Sequence, residues 1–325
     1  MPGRRRAFRI RSLCLKRPFG AVLAAGSVLL VALLSASAAR AQELEPRAYS
    51  PAPAGANFFL AGYTYQSGDV LFDPSLPFTN VRAFVNATTF GYGRTFGLFG
   101  RSAAFSVGVP YLWASVDGNV GEAYGAITRS GVGDTRVRFA VNLLGGPSLT
   151  PREFAARKPE ATLGASVTVS APTGQYSPGK LINIGTNRWA VKTELGFSYP
   201  TGRWTLEAAA GVWLFTDNTE LYPGNIVRAQ DPLYVAQAHV GYTIQQGLWL
   251  AGDATYYTGG QTYSDGVAND TRQSNSRVGA TLSVPVARWH TIKLSAANGV
   301  SARVGTRFTT YGIAYQFLWF DRPGK

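Results

Sequence analysis

The sequence predicts an all-β fold: a transmembrane antiparallel up-and-down β-barrel of about 12 strands. From residue 57 onward, segments of about ten residues alternate apolar and polar side chains, and clusters of Gly, Pro, Asn and Asp separate them. Within 204–217, for example, one face carries Leu206, Ala208, Ala210, Val212 and Leu214. No apolar stripe with helical spacing interrupts the segments over a comparable length, and a secretion signal precedes them. This combination is typical of a barrel with lipid outside and a polar lumen inside.

The first 41 residues have the composition of a secretion signal. A basic stretch ending at Arg17 precedes an apolar run from Phe19 to about Leu34, and Ala39-Arg40-Ala41 supplies a small-x-small cleavage site. The apolar run is shorter than the roughly 20 residues of a spanning helix, so we expect cleavage, with an uncleaved anchor as the alternative. The predicted organisation is a signal peptide over 1–41, a periplasmic lead-in over 42–56 and an outer-membrane β-barrel over 57–325.

The charge of the chain depends strongly on this signal. The whole sequence has 31 Lys and Arg against 18 Asp and Glu, a formal net charge of +13. Residues 1–41 hold eight of the basic residues and none of the acidic ones, which leaves about +5, dispersed without a basic run. We therefore expect no nucleic-acid partner. The one Cys, Cys14, lies in the signal, so thiol and disulfide chemistry are not expected in the exported protein.

The strands are assigned in order from the alternation and from the turn residues between them. They are predicted at 57–67, 82–96, 102–116, 132–145, 160–174, 188–200, 204–217, 233–245, 248–259, 275–286, 290–301 and 306–319. Connections after even-numbered strands are mostly short, as expected for periplasmic turns. The longer connections, expected to be outward-facing loops, are 68–81, 117–131, 175–187, 218–232 and 260–274.

One periplasmic connection, 146–159, is longer than the others. It contains Thr150-Pro151-Arg152-Glu153, which has an N-cap residue, Pro at the first helical position and Glu at the third. This spacing predicts a short helix.

Aromatic residues collect near the predicted strand ends, where amphipathic rings favour the headgroup level of a bilayer. They are Tyr63, Tyr65, Tyr111, Trp113, Trp189, Tyr199, Trp204, Trp249, Trp289, Tyr315, Phe317 and Trp319. A soluble β-sandwich is the rival fold, but it would not place Tyr, Val, Phe and Leu on its solvent face. Outer-membrane lipid is therefore an expected partner.

Two motifs flank one loop of the sequence: Ser170-Ala171-Pro172-Thr173-Gly174-Gln175-Tyr176 and Ile182-Asn183-Ile184-Gly185-Thr186-Asn187-Arg188-Trp189. In these motifs the sequence resembles the outer-membrane family named for the MetA pathway of phenol degradation. It extends over essentially the whole chain after the signal. The resemblance implies a barrel-type porin or transporter linked to uptake of aromatic or other apolar compounds.

If the apolar side chains of each strand face lipid, the side chains at the alternate positions face the lumen. That set comprises Arg136, Arg138, Asn142, Lys192, Glu194, Glu207, Gln237, His239, Asp253, Arg277 and Lys293. A charge facing lipid near the midplane would cost about 2–4 kcal/mol for Arg or Lys, so these side chains are expected inside. They would either line a selective pore or form salt bridges that fill a narrow barrel. Both interpretations stay open.

The loop around 175–189 is a candidate gate or substrate-contacting segment. Its candidate residues are Tyr176, Asn183, Asn187 and Arg188. The simpler interpretation is that these side chains pin the loop to the barrel rim, since loop anchoring needs the same residue types.

Catalytic, metal and cofactor sites are not expected. The chain has two His, His239 and His290, with no nearby Ser on the His239 face and no His pair at ligand spacing. The sequence thus predicts a monomeric or oligomeric outer-membrane channel for passive uptake of small, apolar or aromatic solutes. The alternatives are a closed structural barrel that binds a partner through its outer loops, and a lipid-modifying enzyme that would require His239.

Overall fold

The computed structural model describes residues 45–71 and 78–321. The predicted signal peptide, 1–41, lies outside the described residues. Within them the chain forms one closed antiparallel β-barrel, a small outer sheet and one short helix. The same described residues contain no helix that is long and apolar enough to cross a membrane.

Twelve antiparallel strands form the barrel, with β4 and β5 counted as one interrupted strand, which confirms the predicted fold class and strand number. The barrel strands are β1 (Ala56–Leu71), β2 (Phe78–Leu98), β3 (Arg101–Val120), β4 (Ala123–Val132) with β5 (Thr135–Leu144), β6 (Thr162–Ala171), β7 (Ala190–Thr201), β8 (Trp204–Phe215), β11 (Leu233–Gln245), β12 (Leu248–Gly259), β15 (Gln273–Ala287), β16 (His290–Ser301) and β17 (Gly305–Phe320). The sheet closes because β1 pairs with β2 on one side and with β17 on the other.

The fourth barrel strand is interrupted between β4 and β5, and this corrects the prediction of a loop over 117–131. β5 pairs with the lower part of β3, whereas β4 pairs with its upper part through a turn at Gly121 and Glu122. The change occurs beside Pro110, whose carbonyl accepts the Gly133 N–H at 2.8 Å. The prediction of a loop over 117–131 is wrong, because these residues continue the hairpin, where the lipid-facing alternation is no longer required.

The predicted outer loops 218–232 and 260–274 are also more ordered in secondary structure than expected. They contain the four short strands of a second sheet, β9 (Asn218–Leu221), β10 (Ile226–Gln230), β13 (Thr262–Ser264) and β14 (Val267–Ala268). Strands of two to five residues are too short to show a period, so the sequence pattern could not reveal them.

The opposite end of the barrel has the short turns. Leu98 and Arg101 are paired across a two-residue turn in which Phe99 has φ 48° and Gly100 has φ 75°. Two consecutive positive φ angles are the geometry of a type I′ hairpin turn, which matches the twist of the flanking strands. The chain enters β1 and leaves β17 at this same end, where Ala56 pairs with Phe320.

The predicted helix is present at this end as α1 (Pro151–Ala156). The Thr150 hydroxyl accepts the Glu153 N–H, and the Glu153 carboxylate accepts the Thr150 N–H at 2.9 Å. These two bonds form a capping box. Hydrogen bonds from the Thr150 backbone and then from its hydroxyl hold the pKa of Glu153 below its usual value.

Asp321, beyond the last strand, closes the seam between the chain ends. Its carboxylate accepts hydrogen bonds from Asn57 Nδ2 at 2.9 Å and from an Arg94 guanidinium nitrogen at 2.6 Å. The residue that follows the terminal aromatic run therefore ties β17 to β1 and β2.

Apolar side chains cover the outside of the barrel. The exposed set includes Phe90, Leu195, Phe197, Leu206, Leu214, Val240, Leu250, Val278, Leu294 and Ile313. A continuous apolar exterior on a sheet without edges is the form in which strands cross a membrane. The fold is therefore that of a bacterial outer-membrane barrel. Trp249, predicted in the aromatic girdle, is an exception, because it is buried on the inward face.

Leu195→Arg should destabilise the barrel. Leu195 is 55% exposed and lies at the middle of β7, between the exposed rings of Trp189 and Tyr199. We expect a loss of about 2–4 kcal/mol in the free energy of unfolding, because the guanidinium would face lipid near the midplane. Reversible urea unfolding in lipid vesicles measures the loss, with Leu195→Ala as the control for side-chain removal. Equal stability of the two variants would contradict the assigned membrane depth and direction.

Candidate functional site

The barrel interior is the candidate site, and its two sides differ in polarity. Inward positions on β5 to β16 carry the charged side chains, together with a small apolar cluster of Trp213, Leu233, Val235 and Tyr257. The outer halves of β17, β1, β2 and β3 carry a larger apolar surface. A solute that crossed the barrel would meet both surfaces.

All eleven predicted lumen residues lie on the inward parity of their strands. Asn142, Lys192, Glu194, Gln237, His239 and Asp253 are buried, and Arg136, Arg138, Glu207, Arg277 and Lys293 are half-buried. Their neighbours in sequence are the lipid-facing residues, which explains the alternation of burial along each strand. Whether these side chains contact a solute stays a prediction.

Glu194 is the centre of a polar network in the lumen. It accepts hydrogen bonds from Lys192 Nζ at 3.0 Å, from Gln237 Nε2 at 3.1 Å and from the Tyr49 hydroxyl at 2.7 Å. The Lys192 contact is also a buried ion pair. Three donors offset the free-energy cost of removing the carboxylate from water, and they fix its position.

A second network follows one row of the sheet from β8 to β12. His239 lies directly between Glu207 on β8 and Asp253 on β12. Its Nδ1 is 2.6 Å from an Asp253 carboxylate oxygen, and the Thr281 hydroxyl donates to the other oxygen at 2.9 Å. His239 therefore belongs to a hydrogen-bonded network on the inward face of the sheet.

The segment before β1, predicted as an irregular lead-in, enters the barrel. The Arg47 N–H donates to Glu207 at 2.6 Å, and its guanidinium donates to the Thr243 hydroxyl at 2.6 Å. The same guanidinium lies 4.7 Å from the centroid of the Trp249 ring, a cation–π contact. This segment narrows the lumen near the end with the short turns.

Tyr49 anchors that segment in a slot formed by two glycines. Gly164 on β6 and Gly196 on β7 are register partners, and a Cβ atom added at either would overlap the Tyr49 ring. The ring is 6% exposed, and its hydroxyl contacts Ser166 at 2.9 Å as well as Glu194. The Arg138 guanidinium lies 5.3 Å from the ring centroid. The facing glycines were the one sequence signal that could have indicated this contact.

The outer half of the lumen contains an apolar cluster that the sequence analysis missed. Its buried members are Val70, Val81, Ala83, Val85, Ala87, Leu112, Val116, Ile182 and Phe308. Ile182 comes from the loop between β6 and β7, and its carbonyl accepts a hydrogen bond from Arg129 on β4 at 3.1 Å. The loop thus reaches across the mouth and inserts one aliphatic side chain among the strand residues.

Asp134, in the interruption between β4 and β5, holds both ends of this loop. One carboxylate oxygen accepts the Gly174 N–H at 3.0 Å, and the other accepts the N–H of Thr186 at 3.0 Å and its hydroxyl at 2.6 Å. Three hydrogen bonds to one charged group fix the base of the loop against the barrel rim.

The four candidate gate residues make contacts within the loop or with the rim. Tyr176 donates to the Glu220 carbonyl at 2.8 Å, and burial raises the pKa of its hydroxyl. Asn187 donates to Asn218, and the buried Arg188 donates to Gln230. Asn183 bonds to Ser177 and Lys180 inside the loop: it accepts the Ser177 N–H and donates to both carbonyls. These contacts favour anchoring, and a gating role stays a prediction.

The comparisons agree with this architecture. The family model described as "Putative MetA-pathway of phenol degradation" matches residues 61–317. An outer membrane channel from Pseudomonas putida F1 has a TM-score of 0.74 and 21% sequence identity, over 85% of this chain and 100% of that chain. The transport unit of the autotransporter AIDA-I from Escherichia coli has a TM-score of 0.50 and 8% identity, over 93% and 99% of the two chains. At these identities the similarity shows the fold alone. The comparison with curated proteins finds no match.

Gly196→Ala tests the tyrosine slot. The added methyl group would overlap the Tyr49 ring, so we expect a stability loss of about 1–3 kcal/mol, as for other overpacked sites. In a Tyr49→Ala background the same change should have little further effect. Thermal unfolding measured by the heat-modifiable gel shift gives the comparison. Gly252→Ala is the matched control, because a Cβ there has no described atom within 4 Å. Equal midpoints for Gly196→Ala and Gly252→Ala would contradict the slot.

Proposed function

The chain belongs to the family of the MetA pathway of phenol degradation, and we propose that it is an outer-membrane channel for passive uptake of small apolar or aromatic compounds. The observation that carries the proposal is the apolar surface on the inward faces of β1, β2 and β3. Inward positions of a water-filled barrel are polar, whereas here a row of aliphatic side chains faces the lumen.

An apolar wall stabilises an aromatic solute by removing the apolar surface of its ring from water. Each Å² buried contributes about 25 cal/mol of free energy. In the structure Ile182 of the outer loop packs against this wall, and in this proposal a passing aromatic ring takes the place of that aliphatic side chain. A barrel of twelve strands lies between filled eight-stranded barrels and open porins, so a narrow path for small solutes is in keeping with its width.

The polar residues of the lumen would act on the solute further along the path. In this proposal the Glu194 network and the row through His239 line the inner half, and Tyr49 and Arg47 narrow it. The loop anchored by Asp134 would limit access from the outside. The P. putida barrel, which is described as an outer membrane channel, agrees with the proposal.

A lipid-modifying activity gains no support from His239. Its ring bonds to Asp253 on the inward face, whereas a lipid substrate would approach from the outward face. A serine hydrolase also pairs His Nδ1 with a carboxylate, but it requires a Ser hydroxyl at Nε2, and among the described residues no hydrogen bond joins a Ser to the His239 ring.

Uptake of labelled toluene by intact Gram-negative cells tests the proposal, because the outer leaflet of their outer membrane slows the entry of apolar solutes. Expression of the chain should accelerate uptake. The double variant Val85→Thr with Val116→Thr places two hydroxyl groups in the apolar wall, and we expect it to lower the rate at least about threefold, since burying an unpaired hydroxyl costs about 1–3 kcal/mol.

The matched control is Val109→Thr, which changes an exposed residue on the outward face of β3. Its uptake rate should equal that of the unchanged protein at equal surface expression. Uptake that is the same with and without the protein would contradict the proposed function.

A further inference from the structure

The charges inside the barrel are distributed unevenly around its circumference. The inward faces of the barrel strands carry five basic residues, Arg136, Arg138, Lys192, Arg277 and Lys293, against three acidic ones, Glu194, Glu207 and Asp253. In the segment that enters the lumen, Glu45 and Arg47 add one charge of each sign close to Lys293. The inward strand faces therefore have two positive charges in excess.

The basic residues flank the apolar wall. In the sheet the order of strands is β15, β16, β17, β1, β2, β3 and then β5. The wall lies on β17, β1, β2 and β3, with Arg277 on β15 at one side and Arg136 on β5 at the other. Arg277 donates to the Thr310 hydroxyl on β17 at 2.8 Å, and Arg136 is the register partner of Gly108 on β3. Lys293 and Arg138 lie further along the lumen, beside the entering segment. A guanidinium group thus borders the apolar surface on each side.

The acidic residues lie away from the wall, on β7, β8 and β12, and each is engaged by donors. Glu194 accepts from Lys192, Gln237 and Tyr49. Asp253 contacts His239 and Thr281, and Glu207 accepts the Arg47 N–H. Glu194 is paired with the Lys192 ammonium group, and all three carboxylates lie on strands away from the wall, so the basic side chains beside the wall act most strongly there.

From this arrangement we propose that the channel takes small aromatic carboxylates, with the ring on the apolar wall and the carboxylate beside its basic border. The proposal rests on the proposed channel function and narrows its substrate class. The Arg guanidinium matches the planar carboxylate with paired donors. The apolar wall supplies the burial of the ring, which a chloride ion or a sugar acid would not use.

The test is ion selectivity of the protein, purified from outer membranes and inserted in a planar bilayer. Under a tenfold gradient of KCl, the sign of the reversal potential should show preference for chloride over potassium. When benzoate replaces chloride, its permeability should exceed that of gluconate, an anion without a ring, by at least about fivefold, the range expected from burial of one ring.

Arg136→Gln combined with Arg277→Gln makes the numbers of acidic and basic residues on the inward strand faces equal. The preference for anions should fall to near unity, and the permeability of benzoate itself should fall about tenfold, as for loss of a charge-assisted hydrogen bond. The matched control is Arg82→Gln with Arg307→Gln, which removes the same total charge from exposed side chains that pair with Asp69 outside the lumen. The control should keep both the preference for anions and the benzoate permeability.

The outcomes separate the two proposals. A conducting channel that prefers cations, or that passes benzoate no better than gluconate, would overturn the carboxylate inference while the channel function stands. A silent but inserted barrel would overturn the channel function and this inference with it. If the double variant fails to show the heat-modifiable shift, the single variant Arg277→Gln gives the same comparison with half the charge change.

Discussion

Pairing of β1 with β17 is the interaction on which the rest of the structure depends. The two strands are in register along the whole of β1, from Ala56 with Phe320 to Leu71 with Gly305. Without this pairing the sheet would have two edges in lipid, where unpaired backbone groups cost several kcal/mol each. Closure also fixes which side chains of the remaining strands face outward. A shift of the pairing register by one residue would turn the apolar side chains of a strand inward. The Asp321 contacts with Asn57 and Arg94 strengthen the same seam.

Once the barrel is closed, the interior must be filled or hydrated, and this chain fills it partly with its own segments. Tyr49 fits between two glycines near one end, and Ile182 packs among aliphatic strand residues near the other. Both are held by charged groups, through Glu194 for Tyr49 and through Asp134 for the loop that carries Ile182. Between them lie the polar networks centred on Glu194 and on His239. The described interior is thus lined by both apolar and charged side chains.

Much of the fold could be predicted from the sequence because the bilayer imposes a period of two on each strand. Leu195 and Leu206 had to face lipid, and Glu194 and Glu207 therefore faced the lumen. Prediction from this period failed for segments that do not face lipid. The β3–β4 hairpin and the four-stranded outer sheet lie beyond the lipid-facing rows, so their residues show no regular alternation.

The contents of the lumen were harder to predict than its walls. Tyr49 and Arg47 lie in a Pro-containing segment without periodicity, and their partners are more than 100 residues away in sequence. Ile182 looks like an ordinary apolar loop residue until the folded loop places it among Val85, Leu112 and Val116. Parity identifies which side chains enter the lumen, but long-range packing decides which of them meet.

Single-channel recording with phenol in the bath is the most direct test of the central claim that the lumen is a path for small apolar or aromatic solutes. The protein is purified from outer membranes and inserted into a planar bilayer. The account predicts small, steady openings, in keeping with the narrowed lumen, that phenol blocks reversibly in a concentration-dependent manner. A barrel that inserts and keeps its heat-modifiable shift but never conducts, or one whose current phenol leaves unchanged, would contradict it.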